Sequence, residues 1–288
     1  MTRVAWCSDV HLNFVNRRGL EGLGKALLQS GAESVIITGD ISEAPMLLDH
    51  LAALQLDSTL PIFFVIGNHD AYRSSVAYMT EKLSRVCADP SLKLTYLSAT
   101  GVLRLTEKTA LIGHDGWYDG ESGDFWNSRV ALVDFEIIGE FRNATLDENG
   151  RMPYMNELRF TPTLKHVWKP IMERLALASA SHIDTNLRAA IAQGYKKVLI
   201  ATHVPPFPGA SWHEGKVSNA EYLPFFSNIT MGKVILDVMQ EHPDVECLVL
   251  CGHSHGRGSY VPAANVRVLT GGAQYGSPEV QKPILEIE

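Results

Sequence analysis

The chain has 288 residues, 45% hydrophobic and 20% charged, with a formal net charge of −7. That length accommodates one large α/β domain, or a core carrying a sizeable insertion. The acidic balance gives no global attraction for nucleic acid or anionic lipid, and no apolar run reaches the roughly 18 to 20 residues of a membrane span.

The first residues, MTRVAWCSDVHLNF, enter a strand pattern directly. With no basic stretch leading into an apolar segment, no secretory signal is expected and the expected location is cytoplasmic. Helical spacing follows over 19–30, a strand over 34–39, a helix over roughly 44–55, a strand over 61–66 and a helix over about 74–87. Short β-like pieces come next at 92–97, 102–106 and 109–113. Alternation of this kind predicts an α/β fold with short connections.

The middle breaks the rhythm. Residues 115–160 are rich in glycine, with four aromatics in 117–126 and no strand period; 163–193 reads as one long or broken helix, with Pro170 as a kink or start. About 115–175 is expected to be an insertion, either a cap over the site or an irregular extra layer. A strand at 196–202, the loop VPPFPGASWHEG, a helix at about 230–242 and strands at 246–251, 258–262 and 265–270 complete the chain. Cys7, Cys87, Cys247 and Cys251 form no CxxC pair and are expected to be reduced thiols.

Five of the apolar runs end in side chains that bind metals: Asp9-Val10-His11, Gly39-Asp40, Gly67-Asn68-His69-Asp70, Thr202-His203 and Gly252-His253-Ser254-His255. Parallel strands bring their carboxyl ends to one edge of a sheet, so these residues should converge. Asp9, His11, Asp40, Asn68, His203, His253 and His255 make an N/O set suited to hard or borderline cations. Seven side chains are too many for a single ion. Two ions sharing a carboxylate would use them, with Asp40, at the end of a central strand, as the bridge.

Taken in order, these blocks resemble the calcineurin-like metallophosphoesterase superfamily over residues 9 to 255, with every position of its pattern filled. The resemblance implies a four-layer αββα sandwich with a dinuclear metal site at the strand ends. It implies Asp9, His11 and His255 on the first ion, Asn68, His203 and His253 on the second, and Asp40 bridging. His69 corresponds to the family's non-ligand catalytic histidine, with Asp70 as its orienting partner. Such a pair of ions can lower the pKa of a bridging water, and the hydroxide then attacks phosphorus in line. Manganese is the first candidate, with iron, zinc, nickel or cobalt also compatible.

The second block lacks the arginine of the protein Ser/Thr phosphatases, and the third ends in Asp70 rather than glutamate. This form resembles the phosphodiesterase, nuclease and small-molecule phosphatase branches. A small phosphodiester or phosphomonoester is the expected substrate; the alternatives are a nuclease, or a non-catalytic scaffold with this fold. Arg17-Arg18 and Lys196-Lys197 are the conspicuous basic clusters a nuclease could use. His114 and Asp115, closing a sixth apolar run, are candidate substrate contacts, as are Trp212, His213 and Arg73.

Overall fold

The computed structural model describes the whole chain except residues 131, 147–149 and 151–161. Thr2–Cys7 (β1), Ser34–Thr38 (β2), Ile62–Val65 (β3) and Leu94–Tyr96 (β4) run parallel in a first sheet. The final strand of the chain adds antiparallel to the free side of β1. The second sheet is centred on Thr109–His114 (β6), Lys197–Thr202 (β7), Glu246–Cys251 (β10) and Val266–Thr270 (β12), all parallel. Leu103–Arg104 (β5) and Gly258–Ala263 (β11) close its two edges antiparallel. Between these lies a small hairpin, Trp212–His213 (β8) and Lys216–Val217 (β9), and Leu285–Ile287 (β13) is the last strand.

Side chains alternate across each strand, so one residue in two faces the partner sheet. Val4, Trp6, Ile36, Val65, Leu111, Leu199 and Leu250 fill the space between the sheets. Their neighbours Ala5, Cys7, Val35, Ile37, Ile62 and Phe64 face outward under Arg17–Gln29 (α1), Leu47–Ser58 (α2) and Val76–Val86 (α3). The opposite outer face packs on two helices of the second half. Ile112, Val198, Ile200 and Val249 there meet Ile183, Leu187, Ile235 and Val238. The layers are therefore helix, sheet, sheet, helix, as expected.

Helix ends fall within three residues of the sequence expectation, because local caps set them. Asn16 accepts from Gly19 N–H (3.1 Å) and Ser75 from Tyr78 N–H (3.1 Å). Two short helices, Asp134–Ile137 (α4) and Gly139–Thr145 (α5), lie in the interrupted middle region. The long helix is Pro162–Ala192 (α6), and it runs through Pro170 without a break in assignment. Leu223–Phe226 (α7) and Ile229–Glu241 (α8) complete the helices among the described residues.

The described part of 115–175 has its own aromatic core. Trp117, Tyr118, Phe125, Phe135, Phe141 and Trp168 pack there with Tyr72 and Phe225. Phe135 and Trp168 stack at 4.1 Å and 5°. Lys165, buried, donates to the carbonyls of Phe125 (2.7 Å), Trp126 (3.0 Å) and Ser128 (2.6 Å). An ammonium has three donors, and here each finds an oxygen, which offsets its desolvation. The remainder of the expected insertion, 131, 147–149 and 151–161, lies outside the described residues.

Candidate metal centre

The carboxyl ends of β1, β2 and β3 meet those of β7 and β10 across the sandwich. Backbone bonds tie the loops together: Asp9 N–H to Gly39 O (3.1 Å), His11 N–H to Asp40 O (2.9 Å) and Gly252 N–H to His203 O (2.9 Å). Two glycines permit this approach. A Cβ on Gly67 would overlap Asp40 Oδ1, and one on Gly252 would overlap Asp9 Oδ2. Asp9, His11, Asp40, His253 and His255 all have positive φ, between 41° and 69°. Non-glycine residues adopt that region at a cost, and they cluster at functional sites when surrounding structure holds them there.

Two groups of ligand atoms result. Asp9, His11, Asp40 and His255 form one, Asp40, His203 and His253 the other, with Asp40 common to both and ligand atoms within 4.8 Å of one another in each. Asn68 Oδ1 joins the second, 3.1 Å from His203 Nε2. His69 belongs to neither group. Its Nε2 stands 3.9 Å from Asp40 Oδ2 and its side chain remains 16% exposed, where those of His11 and His203 are sealed.

The tautomers follow from the outer partners. His203 Nδ1 lies 2.9 Å from the Thr38 carbonyl and His253 Nε2 lies 2.8 Å from the Phe225 carbonyl. A carbonyl accepts only, so both of those nitrogens carry hydrogen. The remaining nitrogens, His203 Nε2 and His253 Nδ1, face each other 3.2 Å apart. Burial drives His253 well down, whereas Asp40 and Asp9 raise His203 against its own desolvation, so the facing lone pairs are reconciled by a shared proton or by a metal cation that both ligate. His11 Nε2 and His255 Nε2 also lie close, at 3.1 Å, with no carbonyl partner on His11 Nδ1 among the described residues.

Burial shapes the ionisation of this cluster. It pushes His11 down to about 2, aided by the neighbouring imidazoles, and pushes the Asp40 carboxyl up to about 7 against the pull of His203. His253 is driven well down by the same desolvation. Neutral imidazoles are the ligand form. The residues present fit a pair of divalent cations.

Outer partners orient several of the ligands. Trp6 Nε1 donates to Thr38 Oγ1 (3.0 Å), Thr38 to Ser8 Oγ (2.8 Å) and Ser8 to Asp9 Oδ2 (2.5 Å), a one-way relay ending on a ligand carboxylate. Asp134 of α4 takes three donors on a fully buried carboxylate: Asn68 Nδ2 (2.9 Å), Tyr72 OH (2.6 Å) and Tyr118 OH (2.8 Å). With its amide nitrogen held there, Asn68 must turn Oδ1 towards His203. Tyr72 stacks on His69 at 4.3 Å and Tyr118 on His253 at 5.9 Å. Nothing in the sequence pattern marks Asp134, Tyr72 or Tyr118; a buried acid beside Phe135 in an aromatic stretch is the nearest thing to a signal.

Six of the candidate residues have partners of their own within the protein. Asp70 accepts from Ser42 N–H (2.7 Å), Gly67 N–H (2.9 Å) and Ile41 N–H (3.2 Å); its charge acts on His69, whose buried Nδ1 has no hydrogen-bond partner among the described residues. Asp115 braces Ile66 N–H (2.8 Å), Ser98 Oγ (2.7 Å) and Tyr96 OH. His114 continues the outward face of β6 and packs on His182 of α6 at 5.1 Å. Trp212 covers Gly258, where a Cβ would overlap its indole, and β8–β9 turns through Glu214 and Gly215, both at positive φ. His213 Nδ1 meets the Ser254 carbonyl at 3.0 Å, bracing the loop of His253 and His255. The Arg73 guanidinium is held by Glu43 (2.7 Å).

An unpredicted ring pair borders the ligands instead. Tyr275, in the β12–β13 loop, lies 4.4 Å from His11, 5.1 Å from His255 and 4.9 Å from Phe14.

Residues 2–257 match the model of calcineurin-like phosphoesterases. No curated protein matches the chain at a significant level. Among solved structures it is similar to a phosphopantetheinyl hydrolase from Mycobacterium tuberculosis, at 14% identity over 98% of this chain and 96% of that one, with a TM-score of 0.57. A dimetal phosphatase from Danio rerio aligns at 15% identity over 94% and 87%, with a TM-score of 0.54. At such identities the likeness is one of fold. The family match covers nearly the whole chain and includes every ligand-bearing loop, and the family binds two divalent metal ions. The chain belongs to the calcineurin-like phosphoesterase family and is a metallophosphoesterase, a hydrolase of phosphoric esters.

Proposed function

We propose that the protein hydrolyses a small-molecule phosphodiester or phosphomonoester, with Asp9, His11 and His255 holding one metal ion, Asn68, His203 and His253 a second, and Asp40 both. The observation that carries this reading is the facing pair of nitrogens on His203 and His253, 3.2 Å apart beside Asp40 with their outer nitrogens already committed to carbonyls. An all-N/O set with no thiolate suits manganese first, with iron, zinc, nickel and cobalt as alternatives. When bound, such ions polarise a phosphoryl oxygen and activate water as the nucleophile.

The chain's own residues do the rest. Asp40 shares its charge between both groups while one oxygen also accepts from His69 N–H at 3.0 Å. That bond sets the His69 backbone against the ligand, and the Tyr72 ring sets its imidazole plane. His69, outside both groups and partly open to solvent, is placed to donate a proton to the departing alkoxide or to a phosphoryl oxygen. A nuclease is less well supported. Arg17 is paired with Glu21 (2.8 Å) and Asp57 (3.4 Å), Lys196 with Asp244 (2.5 Å) and Lys197 with Glu246 (3.3 Å). None of these is assigned to a strand-end loop of the ligand set.

The test is a panel of esters on Mn²⁺-loaded protein, with metal analysis of the protein as isolated. Turnover of bis(p-nitrophenyl) phosphate or p-nitrophenyl phosphate above single-stranded DNA supports the reading. No turnover with any divalent ion, together with no bound metal, leaves a scaffold instead. A narrower expectation concerns Asp134. In Asp134→Asn the amide of Asn68 loses its anionic anchor, so one of the two ions should be stripped by chelator sooner and kcat/KM should fall about 10- to 100-fold. Unchanged retention of both ions and unchanged rate would show that Asn68 is oriented by other means.

A further inference from the structure

We propose that Phe14 and Tyr275 form a subsite for a planar ring, so that the preferred ester carries a nucleobase or aryl group. The proposal rests on the phosphoester reading for where the phosphate sits, but its evidence is separate.

Position comes first. The Tyr275 ring lies 4.4 Å from His11 and 5.1 Å from His255, and 6.3 Å from His69. A phosphate at the ligand groups would therefore carry its organic part past this ring. Exposure comes second. Phe14 is 53% exposed and Tyr275 49%, although the two rings meet edge to face at 4.9 Å and 64°. Single exposed aromatics are ordinary, but a paired set on the rim of a buried polar cluster leaves apolar faces for a partner.

The backbone flanking the two rings is anchored. Ala273 N–H bonds the His255 carbonyl (3.0 Å), and Gln281 clasps Gly272 through both its backbone groups (3.1 and 2.8 Å) while its own N–H reaches Trp6 O (2.8 Å). Phe14 N–H bonds His11 O at 2.9 Å. Such bonds tie the backbone beside Tyr275 and at Phe14, which limits the freedom lost when a ligand stacks on the rings.

Among the described residues, the guanidinium groups of Arg73 and Arg257 are held by Glu43 (2.7 Å) and Glu279 (2.8 Å). Among those residues, the two rings are the surface on which recognition beyond one phosphate can draw. Stacking of a base on a side-chain ring is worth about tenfold in affinity.

Hydrolysis-resistant methylenephosphonates separate this from the reaction. Mn²⁺-loaded protein is titrated calorimetrically with the adenosine 5′-methylenephosphonate and with the ribose analogue lacking the base. Wild type should bind the adenosine compound about tenfold tighter. In Tyr275→Leu the two affinities should come within about twofold, with a partial collapse in Phe14→Leu. Because each ratio is internal to one variant, a general loss of folding cannot mimic the result. Equal affinities in wild type, or an undiminished ratio in Tyr275→Leu, would overturn the subsite. A preference without turnover of any ester would leave the subsite standing and the proposed reaction failing; turnover without a preference has the reverse meaning.

Discussion

Asp40→Ala is expected to empty both metal positions and to abolish turnover. Its carboxylate is common to both ligand groups, and its oxygens stand 3.4 Å from His203 Nε2 and 3.8 Å from His11 Nε2. Without it, each group keeps only histidines and one further oxygen ligand, and both ions lose the anion that neutralises them jointly. Metal ions supply several kcal/mol of transition-state stabilisation, so kcat/KM should fall about a thousandfold or more. Metal content per chain, read by elemental analysis after dialysis, should approach zero. A thermal scan gives a second readout. Wild type should melt higher as Mn²⁺ is added, since a ligand that binds the folded state stabilises it, while Asp40→Ala should not respond. Full metal occupancy in this variant would remove Asp40 from the bridging role.

His69→Ala should behave in the opposite way. Its imidazole lies in neither ligand group, so both ions should remain bound, while the rate should drop about 10²- to 10⁴-fold, the range of a lost general acid. The loss should depend on the leaving group. p-Nitrophenolate departs without a proton, whereas an alkoxide needs one, so alkyl esters should suffer more than p-nitrophenyl esters. An equal loss on both would assign His69 to the phosphoryl oxygens instead. Loss of one ion from His69→Ala would make it a ligand and end the proton-donor role.

How far the sequence reached differs between ligands and their surroundings. The five ligand blocks were legible because a parallel strand buried on both faces is a continuous apolar run, and its polar end is then conspicuous. Strand alternation also explains the partners of the sixth strand-end block. His114 shares parity with Ala110 and Ile112 and so faces α6, while Asp115 turns to brace Ile66 and Ser98. Asp70 finds its hydrogen-bond partners for a local reason. Residues 69–71 form a tight turn, and adjacent side chains on such a turn diverge by roughly a third of a revolution. Asp70 therefore points back at the backbone of Gly67, Ile41 and Ser42, and sequence adjacency to His69 brings no contact.

The sequence by itself determined the α/β class, the four layers implied by its family blocks, the seven ligand candidates and the separateness of His69. These depend on strand periodicity and on side chains carried at strand ends, both of which are local properties. The tertiary structure alone decided which nitrogens of His203 and His253 face inward, since that depends on carbonyls of Thr38 and Phe225 far away in the chain. It also decided that Asp134, 66 residues beyond Asn68, orients that amide, and that Tyr275, 264 residues beyond His11, stands on its ring. Loops and inserted segments carry no periodicity to read. Their side chains acquire a role only when packing brings distant backbone together, and that is where the surroundings of this metal centre are made.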